Sequence, residues 1–251
     1  MNGVSNLNTT IQVTNLTKSF DNLNAVDDIS MTLTTGITGF LGPNGAGKST
    51  TMRLLCGFSI PDSGAVLICG HDIVATPRPA QACIGYLPEA AGGFSHLTVH
   101  EFLMLCGESR GFWGRKLNAI IEEVAKTVAL QEALDRQLKS LSKGWRQRAW
   151  FAQAVLHDPP ILILDEPTDG LDPNQKDHIR ELIRKFASEK TILLSTHILE
   201  EAEEICDRAI ILNNGRIVAD ETPEALADER GRLSSAFRQL TQQQSQNELP
   251  G

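Results

Sequence analysis

The sequence predicts an α/β fold on a mixed sheet, with an N-terminal antiparallel β region and an inserted helical region. Three observations carry that expectation. The runs Ile161-Leu-Ile-Leu164 and Ile192-Leu-Leu194 are continuously apolar, as strands covered on both faces must be. The N-terminal runs alternate instead, which suits antiparallel strands with one wet face. Between these two groups, residues 98–157 read as helix after helix.

In chain order, short β-type runs fall at residues 11–13, 30–33 and 37–41, and the third leads into a glycine-rich turn and a helix through Leu55. Further runs follow at 65–68 and 84–87. The helical stretch places Phe102, Leu103 and Leu105 in one helix and Ile120, Ile121, Val124 and Val128 in the next. Runs at 161–164, 191–195 and 209–212 then alternate with helical patterns, as in a parallel sheet. One folded unit over residues 1–241, with its helical part at about 90–157, accounts for these signals. Gln242, Gln243, Gln244 and Gln246 crowd into a polar tail over 242–251 that is expected to be disordered, and the first ten residues are expected to fray.

Composition excludes several classes. Of 251 residues, 41% are hydrophobic and 22% charged, which disfavours a disordered chain, a collagen or a coiled-coil rod. A net charge of −8 repels a phosphate backbone unless basic residues cluster, so no nucleic-acid partner is expected. Cys56, Cys69, Cys83, Cys106 and Cys206 are odd in number and scattered, giving neither a disulfide framework nor a zinc knuckle and fitting a reducing compartment. Residues 1–17 lack the apolar stretch of a secretory signal, and the longest uncharged stretch, 29–47, is too rich in Thr and Gly to span a bilayer. Any membrane role is therefore expected to be peripheral.

The chemistry concentrates in three places. Gly42-Pro-Asn-Gly-Ala-Gly-Lys-Ser49 matches G-x-x-x-x-G-K-[ST] between an apparent strand and an apparent helix, the context of a P-loop NTPase core. In such a loop Gly42, Pro43, Asn44, Gly45, Ala46, Gly47 and Thr50 line the phosphates, inward-pointing amides and a helix N-terminus attract anions, Lys48 neutralises β/γ charge, and Ser49 offers a hydroxyl to magnesium. Asp165 and Glu166 end a buried run, where Asp165 can hold magnesium and Glu166 can orient an attacking water. Two acids before Pro167 are also a common way to begin a turn. His197 follows the run Leu-Leu-Ser-Thr, at the strand end where α/β sheets bind ligands, although a capping or core histidine fits the same position.

Taken together, these residues resemble the nucleotide-binding subunit of an ABC transporter over about residues 11–241. The family signature LSGGQ appears as Leu141-Ser-Lys-Gly-Trp145, upstream of Asp165 in the family's order, with Lys143 for Gly and Trp145 for Gln. A basic RNA-binding patch with interleaved Trp is the competing reading of this stretch. The resemblance implies that Ser142 and Gly144 cap an ATP held by a partner's P-loop. It places Asp172, in Asp169-Gly-Leu-Asp172, at the dimer seam, and Phe20 where an aromatic stacks on adenine. Glu89, in Tyr86-Leu-Pro-Glu89, stands where the family usually has a Gln touching magnesium; a surface acid is the alternative.

The resemblance further implies an ATPase that closes around two MgATP as a homodimer or with a paired ATP-binding subunit, driving separate integral membrane permease subunits from the cytoplasmic, inner face of the cell membrane. The stretch from Gly39 to Thr51, the Ser-Lys-Gly signature and the ending Leu233-Ser-Ser-Ala-Phe237 resemble the bacterial exporter branch. The rival function is a soluble ABC-type ATPase acting as a regulatory or nucleic-acid-associated switch. Such proteins share the motifs, but those on ribosomes usually carry two nucleotide domains and those on chromosomes a long coiled coil.

Overall fold

A computed structural model describes residues 10–21, 23–89 and 92–242, so the expectations for residues 1–9 and 243–251 lie outside the described residues. Thr10 is buried and its carbonyl accepts from Cys69 N at 2.9 Å, so residue 10 is held rather than frayed.

β1 (Ile11–Phe20) and β2 (Leu23–Leu33) form a long antiparallel pair. Both outrun the short segments expected from alternation, because register shifts after Val13, Leu16 and Lys18 break the two-residue period while pairing continues. β3 (Gly36–Leu41) leads through the glycine-rich loop into α1 (Lys48–Leu55). After it come β4 (Ser63–Ile68), the two-residue β5 (His71–Asp72), α2 (Pro77–Ala82) and β6 (Ile84–Leu87).

Three helices follow. α3 (Val99–Ser109) opens on a capping box in which Thr98 and Glu101 satisfy each other's backbone N–H groups. Its Phe102 and Leu103 are buried, whereas Leu105 points outward and is 43% exposed, since it lies two residues away on a helix of 3.6 residues per turn. α4 (Gly114–Thr127) buries Leu117, Ile121 and Ala125, and α5 (Lys143–Val155) starts at Ser142, whose hydroxyl accepts from Trp145 N.

β7 (Ile161–Asp165), α6 (Pro173–Ala187), β8 (Thr191–Thr196), α7 (Leu199–Ile205) and β9 (Arg208–Asn213) supply the rest of the sheet and its cover. β10 (Arg216–Glu221), not expected from the sequence, returns antiparallel to β9 through Asn214-Gly215, both at positive φ as a two-residue hairpin turn requires. α8 (Pro223–Leu226) and α9 (Ser234–Gln242) complete the described chain, and α9 runs one residue into the stretch expected to be a tail.

The strands form two sheets, β2-β1-β4-β5 and β10-β9-β3-β8-β7-β6. The second is parallel from β9 to β6, with β10 as its antiparallel edge. Its central strands feed two cores. Ile161 and Ile163 pack with α1 and the first sheet, while Leu162 and Leu164 pack with α3, α4, α5 and α6. This division explains why the run is apolar throughout: successive side chains point to opposite faces, and both faces are covered. Leu41 pairs with Thr196 and Asp165 with Ser195, which sets the C-terminal ends of β3, β7 and β8 side by side.

Candidate functional site

A cleft of about 340 Å³ opens at those strand ends, lined by Asn44, Gly45, Gly47, Lys48, Ser49, Thr50, Glu89 and Glu166, together with Leu23 and Ala25 of β2. Gly47 must be glycine: its φ is 105°, and a Cβ there would sit 2.2 Å from the Ala25 carbonyl oxygen. Lys48 Nζ donates back to the Gly42 and Pro43 carbonyls at 2.7 and 3.2 Å, which holds the loop closed on itself. Ala46 is buried behind the cleft. Burial lowers the Lys48 pKa, and the charges of Glu166, Asp165 and Glu89 pull it back up.

Glu166 is the first residue beyond β7 and adopts a φ of 48°. Its Oε2 lies 2.8 Å from His197 Nδ1. With the carboxylate ionised it can only accept, so Nδ1 carries the proton in this pair and Nε2 is left for another partner. Burial raises the Glu166 pKa above the usual carboxylate value, against the opposing pull of His197 and Lys48. Ser195 links the two acids, accepting from Glu166 N at 2.9 Å and donating to Asp165 Oδ1 at 2.5 Å.

Among the described residues no three His, Cys, Asp or Glu side chains converge as a metal cage. Magnesium is a hard cation usually bound by one or two protein oxygens while phosphates and waters fill the remaining positions. The Ser49 hydroxyl and the carboxylates of Asp165 and Glu89 are the hard oxygen donors available. Asp165 is 3% exposed and held by Ser195, whereas Glu89 stands exposed at the cleft.

The remaining expected positions lie elsewhere. Phe20 is not among the described residues lining the cleft; it is 50% exposed at the tip of the hairpin, where it pairs with the cleft residue Leu23 and lies 5.6 Å from Lys18 Nζ. Ser142, Gly144 and Asp172 gather at the starts of α5 and α6. Asp172 caps α6 by accepting from Gln175 N at 3.0 Å, and Lys143 Nζ reaches Asp169 at 3.2 Å. Gln147, missed in the sequence, donates to the Pro167 carbonyl at 2.9 Å and ties α5 to the turn after Glu166. The Ser195 bridge was missed as well, although a serine closing an apolar run one residue before Thr-His was a visible signal.

Comparison with known proteins is consistent across sequence and structure. A family profile described as ABC transporter matches residues 26–169. The Nod factor export ATP-binding protein I of Rhizobium sp. (strain N33) is 38% identical over 221 residues, which span 87% of this chain and 73% of that protein. A solved ATP-binding subunit of an ABC transporter superposes with a TM-score of 0.83 at 30% identity, covering 92% of this chain and 99% of that one. A bacterial ABC transporter cassette solved as a dimer has the same fold, with a TM-score of 0.78 at 24% identity over 84% of this chain and 98% of its own.

Proposed function

The chain belongs to the ABC transporter family as an ATP-binding ATPase subunit, and on that premise we propose that it powers an exporter through a separate membrane permease. The convergence of Lys48 and Glu166 on one cleft at the ends of β3, β7 and β8, with His197 held against Glu166, carries this proposal. The loop amides and Lys48 bind and orient the β- and γ-phosphates, which requires Lys48 to exchange its carbonyl partners for phosphate oxygens. Glu166 orients the attacking water and accepts its proton, while His197 fixes Glu166 and contacts the γ-phosphate. Ser49 and Asp165, with Glu89 at the mouth, would hold magnesium, which would neutralise charge on the phosphates when bound. Phe20 supplies the adenine contact from the hairpin tip.

Ser142, Gly144 and Asp172 lie outside the cleft of their own chain, so their contribution requires a second ATP-binding subunit docked across it. Separate spanning subunits are part of this proposal; among the described residues no helix is long and apolar enough to cross a membrane. Export as the direction is carried over from the Nod factor export role of the Rhizobium relative. The same role favours a pump over a soluble switch.

The test is to tag the chain in its native cells, solubilise membranes in mild detergent and identify what co-purifies. A multi-spanning protein near equal stoichiometry is expected. Recovery in the soluble fraction, alone or with ribosomes or nucleic acid, would remove the transporter assignment while leaving the ATPase chemistry in place.

A further inference from the structure

Glu201 lies in the run Leu199-Glu-Glu-Ala-Glu-Glu-Ile205, where an acid would ordinarily stand on the wet face of its helix, yet it is fully buried. Its oxygens are claimed by two hydroxyls from different parts of the chain. Oε1 accepts from Thr168 Oγ1 and Oε2 from Thr196 Oγ1, each at 2.7 Å. Arg180 of α6 adds a charge 3.7 Å from Oε1. Thr168 comes two residues after Glu166, and Thr196 immediately precedes His197.

We infer that Glu201 is a positioning residue for ATP hydrolysis, joining the segment that carries Glu166 and the segment that carries His197 through one buried carboxylate. This rests on the assignment of Glu166 and His197 to the attacking water and the γ-phosphate. Both residues lie just beyond their strands, where sheet hydrogen bonds no longer fix the backbone. Their 2.8 Å contact joins an 11% exposed carboxylate to a 49% exposed imidazole and cannot by itself set where the two segments lie. The Thr196 hydroxyl also accepts from Ile198 N at 3.1 Å, so the group that binds Glu201 shapes the turn through His197 as well. A buried carboxylate is costly unless its acceptors are met, and an apolar residue would fill a helix–sheet contact at less cost. What the carboxylate adds is a two-point, directional link, and catalytic groups need placement to within about half an ångström.

The test uses the full chain with Thr168→Val, Thr196→Val, Glu201→Gln and Glu201→Ala, measuring steady-state phosphate release and the affinity for a fluorescent ATP analogue. Thr168→Val, which removes one donor at nearly constant shape, is expected to lower kcat about tenfold while KM and nucleotide affinity stay within about twofold. Glu201→Gln keeps one acceptor and is expected to retain more activity than Glu201→Ala. Adding Thr168→Val to Glu201→Ala is expected to cost nothing more, because the bond is already gone. If Glu201→Ala does not fold, Thr168→Val and Thr196→Val carry the test, each expected to lower kcat with nucleotide affinity unchanged. Wild-type kcat in both Thr168→Val and Glu201→Gln overturns the inference, as do losses that simply multiply or that appear in affinity rather than kcat. Glu166→Gln is run alongside. Wild-type turnover there overturns the assignment of Glu166 and this inference with it, whereas an inactive Glu166→Gln beside unaffected Thr168 and Glu201 variants overturns the positioning role alone.

Discussion

Replacing Glu166 by Gln removes one charge and almost no volume, so it separates the chemistry of this position from its packing. The amide can keep a hydrogen bond to His197 Nδ1, now 2.8 Å from Oε2, but it cannot take a proton from water. General-base participation contributes about 10²- to 10⁴-fold, so turnover should fall by that factor, roughly 3 to 5 kcal/mol of barrier. Nucleotide affinity should hold or rise, because a negative group is withdrawn from the cleft proposed to receive the γ-phosphate. Stability should move the opposite way to activity. Burial raises the Glu166 pKa above 4.5, so the fold favours the neutral form; that contribution is complete below 4.5 and is lost as pH rises through the folded-state value. Gln stays neutral at every pH, and the variant should therefore melt higher than wild type near neutrality, with the gap closing in acid. Single-turnover phosphate release, a fluorescent-ATP titration and a pH series of melting curves read the three effects. Turnover within about twofold of wild type at unchanged affinity would refute the general-base assignment, and a lower melting point near neutrality would refute the desolvation argument.

Lys48→Ala should weaken ATP binding itself, because it removes the cation that now spans the Gly42 and Pro43 carbonyls; an unaltered fluorescent-ATP titration would contradict this. His157 has its pKa lowered from 6.5 to about 4 chiefly by burial, with Nε2 donating to the Ile84 carbonyl at 3.1 Å. Its contribution to stability is present above 6.5 and is lost as pH falls toward 4, up to roughly 3 kcal/mol. His157→Gln should flatten that part of the stability profile, as urea unfolding at several pH values would show. Gly85→Ala should destabilise by about 3 kcal/mol, since a Cβ on β6 would sit 2.1 Å from the Ala154 carbonyl oxygen of α5; an unchanged urea midpoint would count against that packing.

The glycine-rich loop was legible because its chemistry is contiguous: strand, turn and helix follow within one short stretch of residues. The parallel strands were legible because burial on both faces writes an uninterrupted apolar run. β10 was not read, since Ile217, Val218 and Ala219 stand between charged residues, yet the Asn214-Gly215 turn before them was a usable hairpin signal. The Ser195 bridge to Asp165 depends on β7 and β8 being neighbours in register, and Thr168 meets Glu201 only once α7 has folded back beside the turn after β7. Such contacts join residues about thirty apart, and local pattern does not encode them.

The two departures from the family signature fall where the structure leaves room. Lys143 opens α5 with its side chain half exposed and directed to Asp169, so a residue larger than glycine is accommodated and gains a charge partner in its own chain. Trp145 turns back into the core beside the helices, with the Arg148 guanidinium 5.0 Å above its ring. At the intervening Gly144 a Cβ would fall 1.8 Å from Gln175 Oε1 on α6, so the flexible Gln175 side chain would have to swing aside to admit one. Gly144 is thus the position of this stretch that faces α6, through Gln175, whereas Lys143 reaches out to Asp169 and Trp145 packs inward. Ser142 and Asp172 each cap their own helix, accepting from Trp145 N and Gln175 N, so the surface proposed to meet a partner's nucleotide is shaped by two helix starts rather than by the signature residues alone.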